Sequence, residues 1–254
     1  MEFFGIDFTA LLPFIAVGFA AQLVDGALGM AFGVITNTLL VGVLGVPPAL
    51  ASQRVHIVEC FTTAASGISH LVQGNIDRKL FFKLLIPGII GGVTGAYLLS
   101  SIDAAVVKPY VLAYLACIGI YLLIRGLLYP PRQREAKFAV PLGLVGGFLD
   151  AAGGGGWGPV VTSNLLIQGA NPRKVVGTVN SVEFFLTMAV SATFIFHLGI
   201  ADLAGATLGL LIGGVVAAPF GAIAAKRFST KFVLILVGIV LTLTSGYGAW
   251  LAFN

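Results

Sequence analysis

Four acidic residues and one arginine lie in strongly apolar stretches of the chain, where charged side chains are unusual. They are Asp25, Arg54, Glu59, Asp150 and Glu183. Carboxyl groups in such surroundings can carry protons or bind cations, and the forked, permanently charged guanidinium of an arginine suits an oxyanion. The acids fall into two pairs, Asp25 with Asp150 and Glu59 with Glu183, which indicates that the chain repeats itself.

The repeat extends well beyond the acids. At an offset of 125 residues, the glycine-rich segment Gly18–Gly33 (GFAAQLVDGALGMAFG) aligns with Gly143–Gly158 (GLVGGFLDAAGGGGWG). A second block, Val55–Thr63 (VHIVECFTT), aligns with Val179–Thr187 (VNSVEFFLT). We therefore interpret the protein as an internal duplication.

The composition places both copies in a membrane. Of the 254 residues, 58% are hydrophobic and only 9% are charged, and the mean hydropathy is +1.03. About a quarter of the residues of a soluble domain are charged. The apolar stretches have the length of about 20 residues that a helix needs to cross a bilayer, whereas barrel strands would be shorter and alternating. The sequence predicts an all-α, multi-pass protein of the cell (inner) membrane.

Six apolar segments have the length of one crossing: 52–73, 80–101, 106–128, 175–197, 203–225 and 232–253. Two others, Phe8–Val46 and Phe138–Ala170, are longer and are interrupted by the glycine motifs. Glycine disfavours helix by about 1 kcal/mol relative to alanine, so Gly153–Gly156 is predicted to be unwound. Each long segment is either one crossing with an overrun or a helical hairpin that enters and leaves on the same face.

The basic residues favour the hairpins. With single crossings, the 14 Lys and Arg residues would divide evenly between the two sides of the membrane. With hairpins, all but Lys108 and Arg54 fall on one side, which the positive-inside rule makes cytoplasmic. The residues on that side are Arg78, Lys79, Lys83, Arg125, Arg132, Arg134, Lys137, Arg173, Lys174, Lys226, Arg227 and Lys231.

A hairpin enters and leaves on the same face, so each half changes sides of the membrane three times, which is an odd number. The second half is therefore predicted to run inverted relative to the first. Residues 1–129 would form the first repeat, 130–137 a cytoplasmic linker and 138–254 the second repeat of one integral membrane domain, with both termini outside. Inverted repeats with broken helices are typical of secondary transporters, whose substrate site lies near the midplane.

The broken helices offer backbone N–H groups to an anion at the predicted site. Asp25 and Asp150 could cap these N–H groups or take part in proton or cation coupling, and the two roles are compatible. The predicted substrate contacts of the glycine segments are Asp25, Gly26, Gly153, Gly154, Gly155 and Gly156.

The second repeated block supplies the other candidates. Glu59 and Glu183 are plausible proton carriers, with a helix-to-helix hydrogen bond as the alternative. Arg54 is the best candidate for binding an oxyanion, although an arginine near a helix start can also extend to the membrane interface. The remaining predicted substrate contacts are Gln53, His56, Thr178 and Asn180.

Other classes of function find little support. The sequence contains no phosphate-binding loop, nucleophilic triad or metal-ligand cluster, so we expect no enzyme activity, cofactor or metal. The net charge of +4 lies in short loops, which argues against a nucleic-acid partner. The small-residue faces Gly88–Gly95 and Gly209–Gly221 could pack within the chain or between the chains of a homodimer.

Several motifs resemble those of the TauE/SafE sulfite exporter family of membrane permeases. They are the duplicated glycine-rich segment, the turns Gly45–Pro48 (GVPP) and Gly169–Pro172 (GANP), and the loop Gly74–Asp77 (GNID). The resemblance implies transport of sulfite, of sulfonates such as sulfoacetate, or of related organosulfur anions, coupled to protons. The first half departs from the commoner family pattern at Asp25-Gly26-Ala27 and at Ser52–His56, so it could carry the selectivity.

The sequence thus predicts a proton-coupled secondary transporter for a small sulfur-containing anion, with Arg54 and the glycine segments as anion ligands and Glu59, Glu183 and Asp150 as proton sites. Its predicted partners are the anion, protons and the lipid bilayer. The alternatives are a passive channel and a transporter of a cation or other small solute bound by the carboxylates.

Overall fold

The computed structural model describes residues 2–3, 6–28, 30–128, 137–162, 164–165, 168, 170–200, 203–227 and 230–253. These residues are almost entirely helical, which confirms the predicted all-α class. The strands found among them are two dipeptides before the first helix, Glu2–Phe3 and Ile6–Asp7, which pair antiparallel. Of the predicted linker, residues 130–136 lie outside the described residues, as does Gly169 of the second turn motif.

The first half contains five α-helices: α1 (Phe8–Leu28), α2 (Phe32–Asn37), α3 (Pro48–Val72), α4 (Arg78–Ser101) and α5 (Ala104–Leu127). A π-helical segment, Thr38–Val43, continues α2. The second half contains α6 (Ala139–Gly153), a π-helical segment (Trp157–Thr162), α7 (Pro172–Leu198), α8 (Leu203–Arg227) and α9 (Thr230–Phe253).

Local sequence explains where several helices begin. Asp77 Oδ1 accepts hydrogen bonds from the backbone N–H groups of Lys79 (2.9 Å) and Leu80 (3.1 Å), so it caps α4. Asp103 caps α5 in the same way through the Ala105 N–H at 2.7 Å. The long helices α3 and α7 both begin at a proline, the residue that suits the first helical position.

Among the described residues, four helical stretches are long and apolar enough to cross a membrane: Arg78–Ser101, Ala104–Leu127, Lys174–Leu198 and Leu234–Phe253. Helix α3 has 25 residues but is more polar, since it carries Arg54, His56 and Glu59. The shorter apolar helical stretches are Leu11–Asp25, Phe32–Val43, Ala139–Gly153 and Gly205–Ala217. Three of these four are the arms of the two segments that the glycine motifs interrupt.

Contacts between helices follow the duplication. Helix α1 packs on α8, and its repeat equivalent α6 packs on α4, while α3 packs on α7 and α5 on α9. If each helix is replaced by its repeat equivalent in the other half, the same helix pairs are in contact. Each half therefore contributes to the packing of the other. The inversion of the second half remains a prediction.

Small residues allow the closest of these contacts. A Cβ atom added at Gly91 would overlap the Leu144 carbonyl oxygen on α6, and one at Gly95 would lie 2.5 Å from the Phe148 oxygen. Gly209 meets Phe14 of α1 in the same manner. Gly91 and Gly95 of the first small-residue face and Gly209 of the second therefore pack within the chain.

Candidate functional site

The first glycine-rich segment breaks the helix after Leu28. Ala31 adopts a left-handed backbone conformation, with φ 103°, and α2 begins at Phe32. The carboxylate of Asp25, in the last turns of α1, reaches across the break, where its Oδ1 accepts a hydrogen bond from the Phe32 N–H at 3.2 Å. The break thus creates a helix N-terminus inside the protein, and an acid from the preceding helix caps it.

The second segment breaks in the corresponding place. Helix α6 ends in the unwound segment Gly154–Gly156, whose first two glycines have φ of 77° and 129°. The Oδ1 atom of Asp150 accepts hydrogen bonds from the N–H groups of Gly156 (2.8 Å) and Trp157 (2.9 Å). Three of the four glycines predicted to unwind therefore leave the helix, while Gly153 remains its last residue. The aspartate caps the helical turn that follows.

The two caps are equivalent positions of the repeat. Asp25 and Asp150 are 125 residues apart, and so are Phe32 and Trp157. The N–H group of Phe32 donates a hydrogen bond to Asp25, and that of Trp157 donates one to Asp150. The predicted capping role of both aspartates is confirmed, and it leaves a role in coupling open.

The breaks touch each other at the centre of the protein. A Cβ atom added at Gly155 would lie 2.5 Å from the Val34 nitrogen, and one at Gly158 would lie 2.8 Å from the Met30 Cβ. The hydroxyl of Tyr114, on α5, donates a hydrogen bond to the Gly155 carbonyl oxygen at 3.0 Å. Gly155 is needed here twice, for its backbone conformation and for the close approach of the two segments.

A cavity of 340 Å³ lies beside this contact. All four intramembrane acids line it, two from the breaks and two from the repeated helices: Asp25, Asp150, Glu59 and Glu183. Gly155 and Gly156 also line it, and so does Gly33, which sits next to the Glu59 side chain. The other polar side chains around it are Gln22, Thr62, Thr63, Ser66, His70 and Asn180.

The two glutamates face the cavity with few partners in the protein. No described residue donates a hydrogen bond to either carboxyl group, although Glu59 is only 5% exposed. Asp25, Asp150 and Glu183 line the same cavity as Glu59. When ionised, carboxyl groups that share a buried cavity repel one another, because water screens their charges only weakly there. Protons or a cation in the cavity would relieve this mutual repulsion.

No described lysine or arginine lines the cavity, although His70 does. His56, which is not a lining residue, contacts the lining acid Asp150. Its Nε2 lies 3.1 Å from Asp150 Oδ2, and its Nδ1 lies 2.7 Å from the Ser52 carbonyl oxygen. Because a carbonyl oxygen can only accept, Nδ1 must carry a hydrogen. The contact between Nε2 and Oδ2 then holds one further proton, either on the imidazole or on the carboxyl group.

Several predicted site residues lie away from the cavity. Arg54, half-buried on α3, is not among its lining residues. The side chain of Gln53 donates to the Gly199 carbonyl oxygen at 2.9 Å, and the Thr178 hydroxyl accepts from the Asp77 N–H at 2.8 Å. Both side chains therefore tie helices to loops in this structure.

The remaining predicted glycines also differ in position. Gly26 follows Asp25 in the last turn of α1. Gly153 packs against the Tyr114 ring, and Gly154 packs against Asn37. Of Gly153–Gly156, the last two thus reach the cavity.

Some lining residues were not predicted, although helical spacing could have found most of them. Gln22 precedes Asp25 by three positions, while Thr63 and Ser66 follow Glu59 by four and seven, so all three share a face with a predicted acid. Tyr114, which contacts Gly155 but is not a lining residue, had no such signal, because it comes from a helix without a recognisable motif.

Taken together, apolar helices, two helix breaks and a buried acidic cavity define a polytopic membrane protein with an internal binding site, the architecture of a membrane transporter. The profile of the family described as "Sulfite exporter TauE/SafE" matches residues 14–248. The chain belongs to this family, and the predicted transporter, as opposed to an enzyme, is confirmed.

Two relatives agree with this assignment. The chain is 44% identical over 237 residues to the "Probable membrane transporter protein YtnM" of Bacillus subtilis, an alignment that covers 90% of the chain and 79% of the relative. It is 26% identical over 220 residues to a "Probable membrane transporter protein" of Haemophilus influenzae, covering 82% of the chain and 85% of that protein. No solved structure matches the chain.

Proposed function

We propose that this transporter moves a small sulfur-containing anion, such as sulfite or a sulfonate, together with protons through the cavity between the two helix breaks. The observation that carries the proposal is the set of four acids around one cavity that no described lysine or arginine lines. The family's description as a sulfite exporter supports the substrate class.

The acids make anion binding depend on protons. An anion about 5 Å from an ionised carboxylate is repelled by roughly 3 kcal/mol at an effective dielectric constant of 20, and up to four such groups face the cavity. A protonated glutamate has lost that charge and has gained an O–H donor, which suits the oxygen atoms of sulfite or a sulfonate. Anion and protons would therefore enter together.

The four acids would divide this work between them. Asp25 and Asp150 each hold a helix N-terminus with one carboxyl oxygen. Glu59 and Glu183 have no described donor and are free to gain and lose protons. The side chain of Asn180, which lines the cavity and donates to Ser66 Oγ at 2.9 Å, is a further candidate contact for the anion.

Arg54 takes a smaller part in this proposal than the sequence alone predicts, because it does not line the cavity in this conformation. Alternating access by exchange of two inverted halves, with both termini outside the cell, completes the proposal. An arginine that binds the anion would then do so only in the other state, and replacement of Arg54 by Gln tests that role.

The test is uptake of labelled sulfite or sulfoacetate into proteoliposomes, with and without an imposed proton gradient. We expect accumulation that depends on the gradient and that is lost in the E59Q/E183Q double variant. Equal flux with and without the gradient would instead identify a passive channel.

Transport of a cation or another small solute is the second candidate, because the acidic lining of the cavity would attract a cation directly. The same vesicles distinguish the two. If cations compete with one another for uptake and sulfite or sulfoacetate is not taken up by folded protein, the carboxylates are the substrate ligands.

A further inference from the structure

A second, larger cavity lies on the outer face of the bundle. Its volume is 680 Å³, and it runs between α3, the start of α4 and α7. Most of its lining is apolar, and several of the side chains that line it are also exposed on the outside of the bundle. Among these are Ile68, Leu71 and Phe82, which are 63%, 64% and 63% exposed. In a membrane protein, such a groove opens to lipid.

The groove has a length close to the depth of one leaflet. Along α3 it extends from Thr63 to Leu71, which is about 12 Å at 1.5 Å per residue. One leaflet of a hydrocarbon core about 30 Å thick is about 15 Å deep. The groove therefore has room along α3 for most of a lipid tail that enters from the membrane surface.

Positive charge is concentrated at the surface end of the groove. Arg78, the first residue of α4, lines it and is exposed to solvent. The Lys174 ammonium group donates hydrogen bonds to the carbonyl oxygens of Gly74 (2.7 Å) and Ile76 (3.3 Å), two further lining residues. A basic pocket between transmembrane helices at the membrane surface suits the head group of an anionic lipid.

Aromatic rings form one wall of the groove. Phe81 makes edge-to-face contacts with Phe82 at 5.3 Å and with Phe185 at 6.0 Å between ring centroids. At the inner end, Thr63 lines both the groove and the acidic cavity. A tail in the groove would thus lie against the helix that carries Glu59.

We infer that this groove binds one anionic phospholipid, with an acyl chain between α3, α4 and α7 and the head group at Arg78. This inference does not depend on what the protein transports. An ordinary boundary lipid would fill the same space without preference for its charge, so the preference for charge and the dependence on the groove are what must be tested.

The experiment measures lipid retained by the purified, delipidated full chain with native mass spectrometry. Phosphatidylglycerol is titrated against phosphatidylcholine with the same acyl chains. We expect phosphatidylglycerol to bind about fivefold more tightly, the effect of one basic residue near an anionic surface. Equal retention of the two lipids would overturn the proposal.

Two kinds of variant locate the site. Arg78→Gln should abolish the preference for phosphatidylglycerol, whereas Lys79→Gln, the next basic residue along the chain and not part of the lining, should retain it. Ala64→Phe, or the smaller Ala64→Leu, fills the groove without changing charge and should release the tightly held lipid. Equal losses in R78Q and K79Q, or full retention in both Ala64 variants, would contradict the site.

Discussion

The two helix breaks share an origin and a capping aspartate, yet their surroundings differ. In the second break, Asp150 accepts two backbone hydrogen bonds and faces His56 from α3. In the first break, Asp25 accepts one backbone hydrogen bond, at the longer distance of 3.2 Å. Asn180, the repeat equivalent of His56, donates instead to Ser66.

The comparison shows how a duplication can keep a structural role while the charge around it diverges. Both aspartates still cap a helix, but only Asp150 has an imidazole within hydrogen-bonding distance. The second break is therefore held by more interactions than the first, and we expect changes in the two halves to have unequal effects.

The largest difference is expected on removal of the capping acids. Asp150→Ala removes two hydrogen bonds and leaves His56 buried without its partner, which should lower the free energy of unfolding by about 3 kcal/mol. Asp25→Ala removes one cap, which should cost about 1 kcal/mol. Unfolding of both variants in the same detergent gives the two values, and equal losses would show that the breaks are equivalent.

The glycines at the contact between the breaks should rank next. Gly155→Ala forces a side chain into a backbone with φ 129° and against the Val34 nitrogen, so we expect a loss of about 2 kcal/mol and no transport. At Gly33 the added Cβ would lie 3.3 Å from both Glu59 Oε1 and the Gly155 Cα, so the neighbours would have to shift by only a few tenths of an ångström. Thermal unfolding of Gly33→Ala should therefore show a clearly smaller change.

Exchanging His56 for asparagine makes the second half resemble the first. The shorter side chain cannot reach Asp150, and the loss of this buried hydrogen bond should cost about 2 kcal/mol. Adding Asp150→Asn removes the unbalanced charge but keeps an oxygen for the Gly156 and Trp157 N–H groups, so stability should partly return. A double-mutant cycle measures this, and strictly additive losses would mean that the pair is not coupled.

The smallest effect is expected at the equivalent position of the first half. Asn180→Ala removes one hydrogen bond to a half-buried serine and should change the free energy of unfolding by about 1 kcal/mol or less. Ser66→Ala, which removes the other partner, is the matched control. If Asn180→Ala lowered the free energy of unfolding as much as His56→Asn does, the expected asymmetry between the halves would be contradicted.

Much of this arrangement could be predicted because it is local or repeated. A run of four glycines is costly to keep helical, and an aspartate beside a break has N–H groups within reach. The repeated block placed Glu59 and Glu183 at equivalent positions of their helices. These features depend on spacing along the chain, which the sequence contains.

The rest depends on packing between distant segments. His56 meets Asp150 across 94 positions of sequence, and Tyr114 reaches Gly155 across 41. Arg54 belongs to the same helix as Glu59 but lies away from the cavity, a difference that depends on how α3 is rotated against its neighbours. Composition and periodicity do not determine that rotation.

The most direct test of the central claim measures proton movement together with the anion. Vesicles that contain a pH-sensitive dye receive a gradient of sulfoacetate and no other driving force. We predict that protons follow the anion in the wild type and in Asp103→Asn, a control acid that caps α5, but not in the E59Q/E183Q variant. Anion flux without proton movement in the wild type, or proton movement that persists in the double variant, would contradict the account.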